Sequence, residues 1–365
     1  MSSYIAQKKL YGILLKKQSA NNAQVPKLIT LKDIAKRIGV STITVSKALR
    51  GHPDISKTTA ELIKKTAEEL GYSPNFMARS LAARKSNTIG VVLPQIDHHF
   101  FSSIIDHIYN IAFERQYQVF LTVSHENAEM QKKQIQALLS MRVDGIIISV
   151  SQDTSDFEIF ETAKKRRVPL VFMDRTPDLT DCNTVAVDDK GAAYKAIDHA
   201  INLGYRKIAH FAGHTNINIG RERMIGFQQA MENHGLEVNP NWVIEGDFGE
   251  KSGYDSFMKL YRDNNLPDFI LSVTYPTAIG IYTAAQEVGL RIPDDIDLIC
   301  FGNSEVQNFL SPPLSCVNQP TKQLAVKSMD LLIENINNID NFKSRNIVID
   351  TELILRGTCV KFNRI

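Results

Sequence analysis

The chain has 365 residues, 43% of them hydrophobic, a formal charge of +2 and four cysteines. Its length exceeds one ordinary domain of ~100 to 200 residues, and no apolar run approaches the ~18 residues of a membrane span. The chain is therefore not read as membrane-embedded, and Cys182, Cys300, Cys316 and Cys359, scattered without metal-ligand spacing, read most simply as buried hydrophobes.

The charge is unevenly spread. Residues 27–85 hold twelve Lys or Arg against five Asp or Glu, and the first 85 residues together carry +11 while the rest carry −9. A basic end on an acidic body is an electrostatic footprint for phosphate, although a basic solvated surface alone is common.

Residues 1–26 have an apolar patch broken by lysines and no small-residue cleavage site, so they do not read as a secretory signal. Cytoplasmic residence is the expectation. No function is assigned to this extension, which fits either a flexible basic tail or a start placed too early.

Two short helices around a tight turn follow at residues 31–50. Leu31, Ile34, Ala35 and Ile38 recur at helical spacing, Gly39 allows a sharp turn, and Ser41 can cap the second helix. Val45, Ala48 and Leu49 then face inward and leave Ile43, Ser46, Lys47 and Arg50 outward. This is a helix-turn-helix with a polar face suited to a major groove; taken alone it fits an ordinary helical hairpin equally well. A third helix fits residues 57–70, capped by Ser56 and closed by Gly71, which completes a head over residues 27–73.

Pro74 stops that helix, and residues 75–83 can form two further turns. A helix below about 12 residues is marginal alone, so this hinge, residues 74–86, should order against DNA or a partner copy. Beyond it strand and helix alternate. Apolar runs at 89–93, 119–123, 145–150 and 169–173, then at 207–211, 242–245, 269–273 and 296–301, predict strands; 101–116, 132–141, 191–203 and 221–234 predict helices. The fold class is therefore α/β: an all-α head joined by a hinge to two lobes of parallel sheet covered by helices, with a ligand cleft beyond the strand ends.

The order helix-turn-helix, third helix, Tyr72-Ser73-Pro74-Asn75 and a strand from Ser86 to Pro94 resembles the LacI/GalR family of bacterial transcription regulators. The likeness runs nearly to the end. It implies that Thr42, Ile43 and Lys47 match base-reading positions and that Leu31, Ser41, Thr44, Ser46 and Arg50 match backbone-contacting ones. Ile43 is unusual, since it can touch a thymine methyl but lacks an amide's paired hydrogen bonds. Leu81 matches the leucine that wedges a minor-groove base step, with Asn75 and Ala78 beside it; plain linker packing is the alternative.

By the same resemblance residues 87–365 have the architecture of periplasmic sugar-binding proteins and serve effector binding and dimerisation. The chain should cross between lobes three times, with residues near 87–188 and 320–348 in one lobe and residues near 189–319 plus the last strand in the other. Phe100, Phe101, Arg223, Phe248 and Gln319 match effector-lining positions, Arg223 as a fork for a carboxylate, phosphate or hydroxyl pair. Phe100 and Phe101 read equally as core aromatics, and Arg223 has a surface salt bridge as its alternative. Thr274-Tyr275 stands where many sugar-responsive relatives have Asn-Asp, and Asn303 where they have Asp. Thr274 and Asn303 therefore enter the candidate set, with Asn303 or Asp247 as a substitute acceptor, and a sugar is one candidate effector among other metabolites.

These features predict a homodimeric regulator, most simply a repressor, that binds a palindromic operator in double-stranded DNA and answers to a small molecule, with no cofactor and no membrane partner. An activator of the same family and a solute-binding protein without DNA function are the alternatives. An enzyme is not favoured, because there is no phosphate loop, no nucleophile elbow and no zinc spacing. Asp97, His98, His99 and His107 come nearest to a metal cluster and match no standard site. No heptad repeat follows the final strand, which argues against a coiled-coil tetramer.

Overall fold

The computed structural model describes residues 29–73, 85–97, 99–340 and 343–359. They fall into two compact units that divide after Arg84. The hinge positions Asn75, Ala78 and Leu81, the extension before residue 27 and His98 lie outside the described residues.

The first unit holds α1 (Leu31–Ile38), α2 (Thr42–Leu49) and α3 (Lys57–Glu69). Each start is fixed by a side chain. Thr30 and Asp33 form a reciprocal capping box, the Ser41 hydroxyl accepts from Thr44 N–H at 3.0 Å, and the Ser56 hydroxyl accepts from Thr59 N–H at 3.3 Å. Gly39 closes α1 with a left-handed φ of 77° that a side chain would resist. Ile34, Ala35, Val45, Ala48, Ile63 and Ala67, two from each helix, form the core.

The second unit contains two six-stranded sheets. The first lobe takes β1 (Thr88–Leu93), α4 (His99–Glu114), β2 (Gln118–Val123), α5 (Ala128–Ser140), β3 (Gly145–Ile148), α6 (Glu158–Lys165), β4 (Leu170–Met173) and β5 (Asn183–Val187). The second takes α7 (Asp189–Asn202), β6 (Ile208–Phe211), α8 (Asn218–Asn233), β7 (Val243–Ile244), α9 (Glu250–Arg262), β8 (Phe269–Ser272), α10 (Tyr275–Glu287), β9 (Asp297–Phe301) and β10 (Cys316–Asn318). The chain then returns to the first lobe with α11 (Thr321–Asn337) and β11 (Asn346–Ile349), and ends its described strands in the second with β12 (Glu352–Ile354).

Strand order is β11-β5-β4-β3-β1-β2 in one sheet and β12-β10-β9-β8-β6-β7 in the other. Every pairing is parallel except β10 with β12. Helices cover both faces, which is why central strands such as β1 and β9 are buried at every residue and read as continuous apolar runs. Close packing of α9 on α10 depends on Gly280, where a Cβ would collide with the carbonyl oxygen of Glu250. Crossings between lobes fall at residue 188, at 319–320 and at 350–351.

Two differences from the sequence reading have local causes. The helix expected at 132–141 starts four residues earlier, because the Asn127 side chain accepts from Met130 N–H at 2.8 Å and caps it. The strand expected at 242–245 shrinks to Val243–Ile244, because Pro240–Trp242 form a 3-10 turn. Among the described residues no helix is long and apolar enough to cross a membrane.

Candidate nucleic-acid interface and ligand cleft

In the head, burial of Val45 and Ala48 turns the opposite side of α2 to solvent. Ile43 is 68% exposed, one of several large apolar side chains that stand in solvent among the described residues. Thr42 and Arg50 are exposed, Leu31, Thr44, Ser46 and Lys47 half-buried. Several of the candidate groups already have partners. Ser41 is engaged as the cap and bonds the Thr44 hydroxyl at 2.9 Å, while Arg50 Nε donates to the Ser46 carbonyl at 3.1 Å.

Lys47 carries a partner that sequence reading missed. Its Nζ donates to Asp54 Oδ2 at 2.9 Å, and His52 stands 3.3 Å from the same oxygen. The lysine hydrogen bond, then the charges of His52 and Lys47, hold the Asp54 carboxyl below its usual range. In free protein the lysine is thus tethered to the loop after α2, seven residues on.

In the second unit the carboxyl ends of both sets of strands face a shared cleft, and its lining comes from loops just past β1, β4, β7, β8, β9 and β10. All seven effector candidates, Phe100, Phe101, Arg223, Phe248, Thr274, Asn303 and Gln319, surround this one cavity. Phe101 is also a core residue, 4% exposed, so the two readings of it coexist. The Thr274 hydroxyl donates to the Phe248 carbonyl at 2.7 Å and caps α10. Asn303 Oδ1 accepts from Arg356 Nη2 at 2.7 Å.

Arg223 departs from expectation. It is buried with a carboxylate of its own: Nε donates to Asp189 Oδ1 at 2.7 Å, Nη1 donates to the Val273 carbonyl, and the guanidinium lies 3.9 Å from the Phe301 ring centroid. An arginine so matched has no full charge to offer a ligand anion, although its remaining N–H groups can meet hydroxyls. Asp247, proposed as a substitute acceptor, is corrected too. It sits at the mouth, not in the chamber, and bonds His214 Nε2 at 2.8 Å, which holds its carboxyl below the ordinary range.

The carboxylate that does line the chamber is Asp174, which sequence reading overlooked. It follows the apolar strand β4 with a left-handed φ of 64° and is 3% exposed. Burial raises its carboxyl to about 7, against the opposing pull of Arg175. The available signal was a charged Asp-Arg pair immediately after a fully apolar strand, the position where open α/β sheets bind ligands. Arg175 in turn binds both oxygens of Glu126, at 2.6 and 2.8 Å, and lies over the Phe248 ring of the other lobe at 4.8 Å.

The lobes stand close. Thr176 N–H donates to Asn218 Oδ1 and Asn218 Nδ2 to the Asp174 carbonyl, both at 2.9 Å, while Gln152 Nε2 donates to Asp247 Oδ1 at 3.3 Å and Asn216 to the Gln152 carbonyl. The chamber left between them measures about 70 Å³, well below the roughly 300 to 1,000 Å³ of small-molecule sites. It adjoins a larger mouth of about 760 Å³ that both lobes line. Among the described residues no group of His, Cys, Asp or Glu is placed to hold a metal, and Asp97, His99 and His107 do not form one.

Comparison with known proteins matches both units. The model for bacterial regulatory proteins of the lacI family covers residues 30–75, and that for the periplasmic binding proteins and sugar binding domain of the LacI family covers 86–356. The chain is 32% identical over 330 residues to the HTH-type transcriptional repressor PurR of Pasteurella multocida, spanning 90% of this chain and 98% of that one. It is 31% identical over 310 residues to catabolite control protein A of Priestia megaterium, with 85% and 93% covered. The structure of the lac repressor dimer bound to operator and the anti-inducer ONPF superposes with a TM-score of 0.81 at 27% identity, over 92% of this chain and all of that one. A helix-turn-helix head and a two-lobed cleft, matched together over nine-tenths of the chain, place this protein in the LacI family of bacterial transcription regulators.

Proposed function

We propose that the protein is a homodimeric repressor that reads a near-palindromic operator with α2 and releases or holds it according to a small molecule in the interlobe cleft. The observation that carries this is the joining, in one chain, of a recognition helix whose outer face presents Thr42, Ile43 and Lys47 with a cleft lined from six strand ends. Identical heads on a two-fold dimer suit two-fold DNA. The lac repressor relative is described as a dimer on its operator, which supports the same assembly here.

Thr42, Ile43 and Lys47 face base edges in this reading, and Leu31, Ser41, Thr44, Ser46 and Arg50 face the phosphate backbone. Ile43 meets a thymine methyl. Leu81, with Asn75 and Ala78, acts at the central base step. An effector acts by preferring one spacing of the lobes, and it shifts DNA affinity only as far as its affinities for the two states differ. The protein works in the cytoplasm, where its operator is.

Selection of genomic DNA fragments on the purified protein tests this. Enrichment of a short palindrome supports the reading, and its neighbours nominate the effector; a retained pool without any common sequence would refute it.

A further inference from the structure

The charges of the cleft define the kind of molecule it takes. Both guanidiniums in the chamber are matched one to one, Arg175 by Glu126 and Arg223 by Asp189. Asp174 is left over. Its backbone N–H donates to the Val185 carbonyl at 2.9 Å and its carbonyl accepts from Asn218, but its carboxylate has no hydrogen-bond partner among the described residues. A buried carboxylate in that condition is costly unless something supplies donors and opposite charge.

The approach to the chamber has the same sign. Asp247, Glu250 and Asp255 line the mouth, where among the described residues Lys251 is the one cationic lining residue and pairs with Asp255. Such a rim concentrates cations and repels anions. Aromatic faces complete the pattern. Arg175 stands 5.9 Å from Phe101 and 4.8 Å from Phe248, and Arg223 stands over Phe301, so the rings of this chamber already receive cations. Phe100 and Tyr275 line the same space without a guanidinium over them among the described residues.

We propose that the effector bears a protonated amine that pairs with Asp174, and that phosphorylated and carboxylated metabolites are not effectors of this protein. This rests on the effector reading of the cleft. An entering anion would meet Asp174 and find the charge of both guanidiniums already balanced, although Arg175 Nε has no hydrogen-bond partner among the described residues, whereas an ammonium group supplies the donors that carboxylate lacks, against ring faces suited to it. The raised Asp174 carboxyl fits this, since a cation arriving beside it favours the charged form.

The test uses the full chain and its Asp174→Asn variant. A small-molecule extract of bacterial cells is separated on ion exchangers at neutral pH into cationic, neutral and anionic pools, and each pool is scored for its effect on melting temperature and on retention of the selected operator fragment. The expected result is a rise of about 5 °C with the cationic pool alone, reduced at least fivefold in Asp174→Asn. A shift produced by the anionic or neutral pool, or one equal in the variant, overturns the amine assignment while leaving an effector cleft in place. No effect of any pool on either readout overturns the effector reading beneath it.

Discussion

Asp174→Asn should make the protein more stable at neutral pH, and by an amount that depends on pH in a defined way. The folded carboxyl sits at about 7 against an ordinary 3.8. Below pH 4 it is protonated in both folded and unfolded chains and contributes no difference. Between pH 4 and 7 the unfolded chain ionises it while the folded chain holds its proton, so stability falls as pH rises and levels off above 7. Three units of displacement correspond to about 4 kcal/mol at pH 8.

Asparagine keeps the shape, cannot ionise and tolerates the left-handed backbone at this position better than most residues. The variant's melting temperature should therefore match wild type near pH 3 and exceed it by roughly 8 to 16 °C at pH 8, at about 2 to 4 °C per kcal/mol for a domain of this size. His210, buried and lowered to about 4, makes stability fall as pH drops from 6.5 toward 4, but it is common to both proteins and cancels in the difference. Melting curves recorded by circular dichroism at four pH values suffice. Parallel profiles for the two proteins would refute the claim that this carboxylate is buried without a partner.

The head offers three further outcomes. Lys47→Ala should weaken operator binding by about 1 to 3 kcal/mol and relax preference at one base position, as read by binding to a panel of operator variants; a loss equal on all sequences would make it a phosphate contact. Asp54→Asn removes the negative charge that pairs with Lys47 at 2.9 Å and loosens its tether, so binding to random DNA should tighten at low salt and the salt slope should steepen by about one. Leu81→Ala should cost operator affinity while leaving dimerisation intact in sedimentation, and unchanged affinity would remove it from the base step. In the cleft, Arg223→Ala strands Asp189 in the core. Melting of the core should drop by about 3 to 5 kcal/mol, and a surviving normal effector response at low temperature would take Arg223 out of the site.

Local patterns were legible and long-range ones were not. The head could be read because its determinants are close in sequence: Leu31, Ile34 and Ala35 at helical spacing, Ser41 and Ser56 as caps, Gly39 as the turn. Central strands could be read because burial on both faces makes them continuously apolar, as in β1 and β8. β10 and β12, three residues each, carry too little pattern, and they become strands only because β9 supplies a neighbour for β10, and β10 one for β12. Around the cleft, all seven candidates line one cavity. Their partners could not be read from the sequence. Asp189 lies 34 residues from Arg223, and Glu126 lies 49 from Arg175, so neither neutralisation is visible along the chain. Asp54 is only seven residues from Lys47 but lies beyond a turn whose path the sequence does not specify.

The late strands set the order in which this protein can mature on the ribosome. The head is complete once residue 73 emerges, and its three helices need nothing downstream to close their core. Neither lobe has that independence. The first sheet lacks an edge until β11 at Asn346–Ile349 pairs with β5, and the second lacks one until β12 at Glu352–Ile354 pairs with β10. At ~5 to 20 residues per second, roughly 15 to 55 s pass between completion of the head and closure of either sheet. Throughout that interval a finished DNA-reading module trails two sheets with open edges, and the ability to find DNA arises on the nascent chain before the ability to answer a metabolite.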